Sequence, residues 1–289
     1  MKKNFVEYLL PVFGYIAIII FAGIITIIAL EGLPLLSKFS FFSLISGTEW
    51  RPTSLPPLFG FLPSIVSTFF VAIFSMLIAI PLSLGTAIYL SKIATPKIRN
   101  VLKPTIELLA NIPSVIYGAF ALLFLGPLIK RLFNLPVGLN GLNASIILAI
   151  MSIPTITTLS DDAISMVPKE EELASYALGA SNLETIFGIT IPSASAGIFA
   201  SITAGFGRAV GETMAVLLAS GNSIRIPHSI LEPMRPITAT IALEMAEAPV
   251  GGDHYRALFM LALILLILVL SFNLLSRHLK AIYRRKLYG

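Results

Sequence analysis

The chain has no cysteine, which excludes disulfides, thiolate metal sites and cysteine nucleophiles. Charge is scarce too. Asp, Glu, Lys and Arg make up 12% of the 289 residues against 56% apolar ones, which is not a soluble globular composition. The three histidines, His228, His254 and His278, lie far apart and make no metal-ligand spacing. No G-x-S-x-G elbow and no H-E-x-x-H run occurs, so neither of these hydrolase signatures is present. Also missing is a G-x-x-x-x-G-K-[ST] run, so this chain cannot cradle ATP phosphates by a Walker A loop. If ATP drives its work, another subunit must bind the nucleotide. No linker, low-complexity segment or long internal repeat divides the sequence, and residues 1–289 read as one domain.

What is present is apolar length. Six runs approach or exceed the roughly 20 apolar residues that span a bilayer: about 9–31, 61–90, 105–129, 144–160, 187–221 and 256–276. The first is long and has no small-residue cleavage site, so a retained helix is expected rather than a signal peptide. The expected class is an all-α membrane protein with six transmembrane helices. A net charge of +5 could suggest nucleic acid, but the basic residues follow topology instead. Lys2 and Lys3 precede the first span; Lys92, Lys97, Arg99 and Lys103 fill one short loop with no acid among them; Arg277, Lys280, Arg284, Arg285 and Lys286 follow the last span. An even number of spans puts all three groups on one side, which the positive-inside rule makes cytoplasmic, with both termini. Lys38, Arg51, Lys130, Arg131, Arg225 and Arg235 fall on the other side, an imperfect bias. A nucleic-acid partner is not expected.

Residues 168–192 interrupt this pattern with a polar, charged helix–turn–helix that would face the cytoplasm. Pro168 suits a helix start, and Glu170, Glu171 and Glu172 place negative charge at the positive end of its dipole. Leu173, Tyr176 and Ala177 make a short apolar stripe. Gly179 can take the left-handed conformation that stops a helix, and Ser181-Asn-Leu-Glu184 reads as a capping box that restarts one. Such a hairpin suits docking to a soluble partner.

The fifth span is dominated between Ser193 and Gly211 by Ala, Ser and Gly, with Ala200, Ala204, Gly207 and Gly211 at near-helical spacing. Small residues let helices approach closely in lipid, so this span belongs in a bundle or at a subunit interface. Arg208 and Glu212 lie within it, and a charge at mid-membrane costs about 2.5–3.5 kcal/mol on insertion scales. Their spacing of four would put both on one helical face, able to pair. Functionally, the guanidinium would offer a fork of donors to an oxyanion, with Glu212 orienting it; the plainer alternative is an internal ion pair. Glu107, after Pro104, is expected beside a helix N-terminus in a capping role. Asp161 and Asp162 are expected at a solvated boundary of the fourth span. Of the two outer loops, 32–60 carries Trp50, Phe39, Phe41 and Phe42 as expected interfacial anchors, and the proline-rich 222–255 is expected to be irregular.

The hairpin resembles the cytoplasmic "EAA" loop of ABC importer permeases, whose pattern is EAA, three residues, Gly, nine residues, then I-x-L-P. Here Gly179 is followed after nine residues by Ile189-Thr-Ile-Pro192, while Leu173-Ala174-Ser175 stands where E-A-A belongs. Gly205-Phe-Gly-Arg208-Ala-Val-Gly-Glu212-Thr-Met-Ala-Val216 is similar to the signature of permeases of the phosphate-specific (Pst) importer. Thr48-Glu-Trp50-Arg-Pro52 and Phe59-Gly60, leading to Pro63, resemble the outer segment of its C-type permease. The resemblance implies a type I ABC importer permease fold with a cytoplasmic coupling helix. It implies a second homologous permease, two ATPase subunits that hold ATP and Mg, and an extracytoplasmic phosphate-binding protein. It further implies a phosphate path at Arg208 and Glu212 and ATPase docking through Glu172, Leu173, Ala174, Tyr176, Gly179 and Ala180. No cofactor bound by this chain and no metal site is implied. The alternatives are a permease for molybdate, tungstate or sulfate, or an ion-coupled secondary transporter with Glu212 titrating. Inverted repeats with broken paired helices would favour the latter, and none is visible.

Overall fold

The structure, a computed structural model, describes residues 5–288. Lys2 and Lys3 lie outside the described residues, as do the side chains of Arg277, Lys280, Arg284, Arg285 and Lys286. In chain order the elements begin with α1 (Phe5–Gly32), α2 (Phe41–Ser46), β1 (Trp50–Arg51), β2 (Leu58–Phe59), α3 (Leu62–Ile88) and α4 (Pro96–Ala110). Next come α5 (Ser114–Phe120), α6 (Gly126–Leu132), α7 (Gly141–Ser165), α8 (Lys169–Ala177) and α9 (Asn182–Thr185). Last are α10 (Ile191–Gly211), α11 (Met214–Ala219), α12 (Ile237–Glu244) and α13 (Asp253–Tyr288). One-turn π segments lengthen α3 at Tyr89–Ile93, join α5 to α6 at Ala121–Leu125, and lead from α9 into α10 at Ile186–Thr190. Among the described residues, six helical stretches are long and apolar enough to cross a membrane: Pro11–Ser37, Leu62–Ile93, Ser114–Leu132, Gly141–Ser165, Asn182–Gly211 and Asp253–Leu274.

The bundle is organised around α7, which packs most extensively on α3 and then on α10. Its contact with α3 is a seam of small residues, Ala72, Ser75, Ala79 and Ser83 against Ala144, Ser145, Ala149 and Ser152. Small side chains let the two backbones close up, which is how helices gain packing energy where lipid removes the hydrophobic drive between them. Two hydroxyls bond across the seam, Ser83 Oγ donating to Ile153 O at 3.3 Å and Thr157 Oγ1 to Ser83 O at 3.4 Å. On the other side of α7, a Cβ added to Gly205 would come within 2.5 Å of Ile156, and one on Gly197 within 2.3 Å of Ala163. Ser160 and Ser201 bond to each other between them at 2.6 Å. Helix α1 stands apart, packing along α13 with its apolar surface uncovered.

Three expectations change here. The third span begins at Ser114, not near residue 105, because Asn111-Ile-Pro113 ends α4 and forces a new start. Pro104 therefore lies inside α4 and Glu107 in its last turn, not at a helix N-terminus. The four basic residues expected in a loop lie instead on the π segment after α3 and on α4.

The outer loops form a small second core. Trp50 is buried against Phe59 and Phe61, with Phe39 packed on Phe59. Its indole N–H donates to Glu244 Oε2 at 2.9 Å, so Trp50 is an interior residue and not a lipid-interface anchor. Phe41 and Phe42 are exposed. The loop 222–255 is more ordered than its prolines suggest, because Pro236 sits at the N-cap of α12 where its missing N–H is harmless. Glu244 at the end of α12 also accepts from Arg235 at 2.7 Å and bonds His254 at 2.9 Å, tying four outer segments together.

Candidate translocation site and docking hairpin

Helix α10 ends at Gly211, and Glu212 turns to an extended backbone (φ −71°, ψ 131°) before α11 begins. This break decides the fate of the predicted ion pair. Glu212 Oε1 accepts from the backbone N–H groups of Thr213 (3.2 Å) and Ala215 (3.3 Å), filling donors that the first turn of α11 leaves free. Its carbonyl accepts from Thr238 Oγ1 at 2.8 Å. The chain leaves the helix one residue before Glu212, so the i, i+4 geometry is lost and no Arg208–Glu212 salt bridge forms.

Arg208 turns instead toward α7 and the end of α4. Its Nη1 donates to Thr155 Oγ1 at 3.1 Å, and Nη2 reaches the Ala110 carbonyl at 3.5 Å. Thr155 lies ten residues from one end of α7 and fourteen from the other, roughly 15 Å and 21 Å at the helical rise, so the guanidinium lies level with the middle part of that helix. Arginine carries five N–H donors, and only two of its nitrogens are engaged here. The small residues near it divide into two sets. Gly197, Ser201 and Gly205 form the covered seam with α7, whereas Ala200, Ala204 and Gly211 are exposed and a Cβ at Gly207 or Gly211 would meet nothing within 4 Å. The face beside Arg208 is therefore open in this chain. Thr155 and the Ala110 carbonyl were not expected from sequence; a hydroxyl next to Pro154 in an apolar run is too common to single out.

The cytoplasmic hairpin forms as its sequence directs. Helix α8 stops in a Schellman arrangement, with Gly179 N–H donating to Tyr176 O at 3.0 Å, Ala180 N–H to Ser175 O at 3.2 Å, and Gly179 at φ +88°. The capping box is complete, Ser181 Oγ accepting from Glu184 N–H and the Glu184 carboxylate from Ser181 N–H. That last bond holds the Glu184 carboxyl below its ordinary range. Leu173, Ala174, Tyr176, Leu178, Gly179 and Leu183 are exposed at the tip, and Ala180 is half-buried. Leu178 and Leu183 enlarge the apolar stripe beyond the one expected. Glu172 faces the other way: its carboxylate bonds Lys92, on the π segment after α3, and accepts from Thr190 Oγ1 at 2.9 Å. Glu171 likewise accepts from Ser193 Oγ at 2.7 Å. The acidic side of α8 thus fastens the hairpin to the membrane body and leaves its apolar side free.

Nearby, Asp161 is fully buried, contrary to the solvated boundary expected for it. Its Oδ2 accepts from Arg99 at 2.8 Å and from Lys103 at 2.9 Å; Lys103 also reaches Asp162 at 2.8 Å. The Asp162 hydrogen bond, helped by Asp161, raises the Lys103 pKa above its ordinary value against the opposing effect of burial. A cluster of cations without acids on α4 and two acids ending an apolar helix were both visible in sequence, and matching them would have found this contact.

Residues 79–285 match the family described as the binding-protein-dependent transport system inner membrane component. The chain belongs to this family, and is therefore a multi-pass inner-membrane permease subunit of an ABC transporter rather than an enzyme. It is 36% identical over 280 residues to the probable ABC transporter permease protein YqgH of Bacillus subtilis (strain 168), covering 96% of this chain and 88% of that one. It is 35% identical over 286 residues to the phosphate transport system permease protein PstC of Mesorhizobium japonicum, covering 92% and 83%. Among solved structures, a bacterial alginate ABC transporter in complex with its alginate-bound periplasmic protein superposes with a TM-score of 0.68 over 96% of this chain and 94% of that chain, at 14% identity. The methionine transporter MetNI in an inward-facing form gives 0.58 over 78% and 94%, at 16% identity. These likenesses confirm a type I ABC importer permease fold of six membrane helices.

Proposed function

We propose that this chain is one permease of an ATP-driven phosphate importer and that Arg208 is the group that meets phosphate inside the membrane. The observation that carries this is a guanidinium level with the middle part of α7, within the helical bundle, with unused donors on an open, glycine-lined face. A charge so placed is expensive to insert, and arginine's planar fork matches a tetrahedral oxyanion better than any other side chain. The relatives named for phosphate transport supply the anion. A second, homologous permease covers the face formed by Ala200, Ala204, Gly207 and Gly211, so that the path runs between the two. Two ATPase subunits, which hold ATP and Mg, receive the hairpin through Leu173, Ala174, Tyr176, Gly179 and Ala180, with Glu172 holding it from behind. An extracytoplasmic phosphate-binding protein delivers the substrate to the opposite side, and both termini lie with the hairpin in the cytoplasm.

In cells expressing the whole transporter, Arg208→Ala should reduce uptake of labelled phosphate to background while the ATPase still co-purifies. Normal uptake by that variant would sink the assignment. Competition by molybdate, tungstate and sulfate in the wild type separates phosphate from the other oxyanions.

A further inference from the structure

We propose that Asp161 is a positioning residue for transport: a buried node about which α4 shifts between two settings, linking the docking hairpin to Arg208. The inference rests on the function proposed above, and adds the path by which the two ends communicate. Four contacts define that path. Glu172 of the hairpin is fixed to Lys92 on the π segment following α3. On the same segment the Leu90 carbonyl accepts from Arg99 Nη1 of α4 at 2.7 Å. Arg99 and Lys103 then converge on Asp161 of α7. At the far end of α4, the Ala110 carbonyl faces the Arg208 guanidinium at 3.5 Å. Helix α4 has no buried residue of its own, so it is placed by these end contacts, by the Tyr117 hydroxyl donating to the Leu109 carbonyl at 2.9 Å, and by its packing on α7.

A link of this kind needs an element with two discrete arrangements, since mere adjacency does not transmit anything. Asp161 supplies one. Both cations crowd on Oδ2, while Oδ1 is fully buried and has no hydrogen-bond partner. An unused acceptor in the interior is uncommon and unfavourable. It lets Arg99 or Lys103 move from one carboxylate oxygen to the other with the number of ion pairs unchanged, and such a move shifts α4 along α7. π segments, which tolerate local rearrangement of the helical ladder, lie where both α3 and α10 meet the hairpin. Displacing α4 moves the Ala110 carbonyl toward or away from Arg208, which changes how many donors the guanidinium can turn to an anion.

The test uses the complete transporter in proteoliposomes, measuring ATP hydrolysed per labelled phosphate imported. Asp161→Asn should raise that ratio about tenfold, within the ordinary range of coupling between sites. Lys103→Met, which leaves the Arg99–Asp161 pair, should raise it less. Because the chain lacks cysteine, spin labels can be attached at Leu102 on α4 and Leu159 on α7 without removing any native residue. Their distance should differ between the nucleotide-free and vanadate-trapped states in the wild type, and the difference should vanish in Asp161→Asn. An unchanged ratio in Asp161→Asn, or a wild-type label distance that ignores nucleotide, overturns the inference. Should Asp161→Asn fail to assemble, an unchanged ratio in Lys103→Met overturns it. Loss of ATPase co-purification or normal uptake by Arg208→Ala would instead strike the functional reading, so the two failures are distinguishable.

Discussion

Charged residues are treated in opposite ways at two depths of this molecule. At the cytoplasmic end, carboxylates and cations from separate segments meet directly: Glu172 with Lys92, Asp161 with Arg99 and Lys103, Asp162 with Lys103. At the end of α10, Arg208 and Glu212 stand four apart in sequence and do not meet. Glu212 spends one carboxylate oxygen, Oε1, on two backbone N–H groups, and Arg208 has only a hydroxyl and a carbonyl. A buried ion pair holds shape, and removing one member leaves the other stranded. A half-buried guanidinium with no carboxylate partner keeps donors to spare, and the phosphate contact proposed for Arg208 rests on that contrast.

That distinction can be broken most sharply at Arg208. Arg208→Lys keeps the charge and removes the planar fork, and if the fork is what binds, phosphate uptake should fall by about a hundredfold, the loss of one bidentate contact of about 2–3 kcal/mol. Near-normal uptake would show that a point charge suffices, and would weaken the case for direct contact. On the cytoplasmic side the corresponding break is Gly179→Val. Nothing lies within 4 Å of the added Cβ, so any effect comes from the backbone, which is left-handed at φ +88°. Holding a β-branched residue there costs about 1–2 kcal/mol or more. Association with the ATPase, measured by co-purification at graded ATPase concentration, should weaken by about tenfold. Unchanged affinity would mean that the hairpin tip is not the dock.

Glu212 tests the comparison from within. Its carboxylate caps α11, a task for which an amide oxygen also serves. Glu212→Gln should therefore retain several-fold more uptake than Glu212→Ala, the difference being about the 1 kcal/mol of a lost cap. Equal loss in both would show that the negative charge itself is used, and that the separation seen between Glu212 and Arg208 closes during transport.

The spans, the hairpin and its glycine were legible in sequence because each rests on local chemistry: apolar length, capping residues and one obligatory positive φ. What was not legible depends on which segments face each other. Apolarity marks lipid as readily as interior. An apolar 18-residue stretch within Pro11–Ser37 has none of its residues buried, whereas the corresponding stretch of the more polar Gly141–Ser165 is 61% buried, so composition ranks the central helix below the peripheral one. The small-residue stripe was recognised, yet it is covered in part: Ala194, Ser201, Gly205 and Ala209 are buried and Gly197 packs on Ala163, while Ala200, Ala204 and Gly211 are exposed, because one face of α10 meets its neighbours and the other does not. The Arg208–Glu212 pair failed for a different reason. Helical spacing was extended through a break that Gly211, at the last residue of α10, gave the only hint of.

The smallest expected effect lies at the capping box, where the charge is fully exposed to solvent. Ser181 N–H binds the Glu184 carboxylate at 2.8 Å and lowers its pKa, so folding of the hairpin favours the ionised form. A carboxyl depressed on folding lends stability above its unfolded pKa and loses it as pH falls through the folded one. With an ordinary carboxylate reference near 4, that contribution is constant between pH 5 and 8 and disappears only in more acidic solution. Hydrogen exchange of the amides at 181–186, corrected for intrinsic rates, should then show no change in protection from pH 8 to pH 5, and Glu184→Gln should differ from wild type by a few-fold at most. A strong loss of protection between pH 7 and 5 would mean that another titrating group governs the hairpin. The Lys103 ammonium on α4 should be equally indifferent over that range, because its hydrogen bonds to Asp162 and Asp161 raise its pKa and it stays charged until pH rises above its ordinary value. Neither the Glu184 carboxylate nor the Lys103 ammonium is therefore expected to change charge between pH 8 and pH 5.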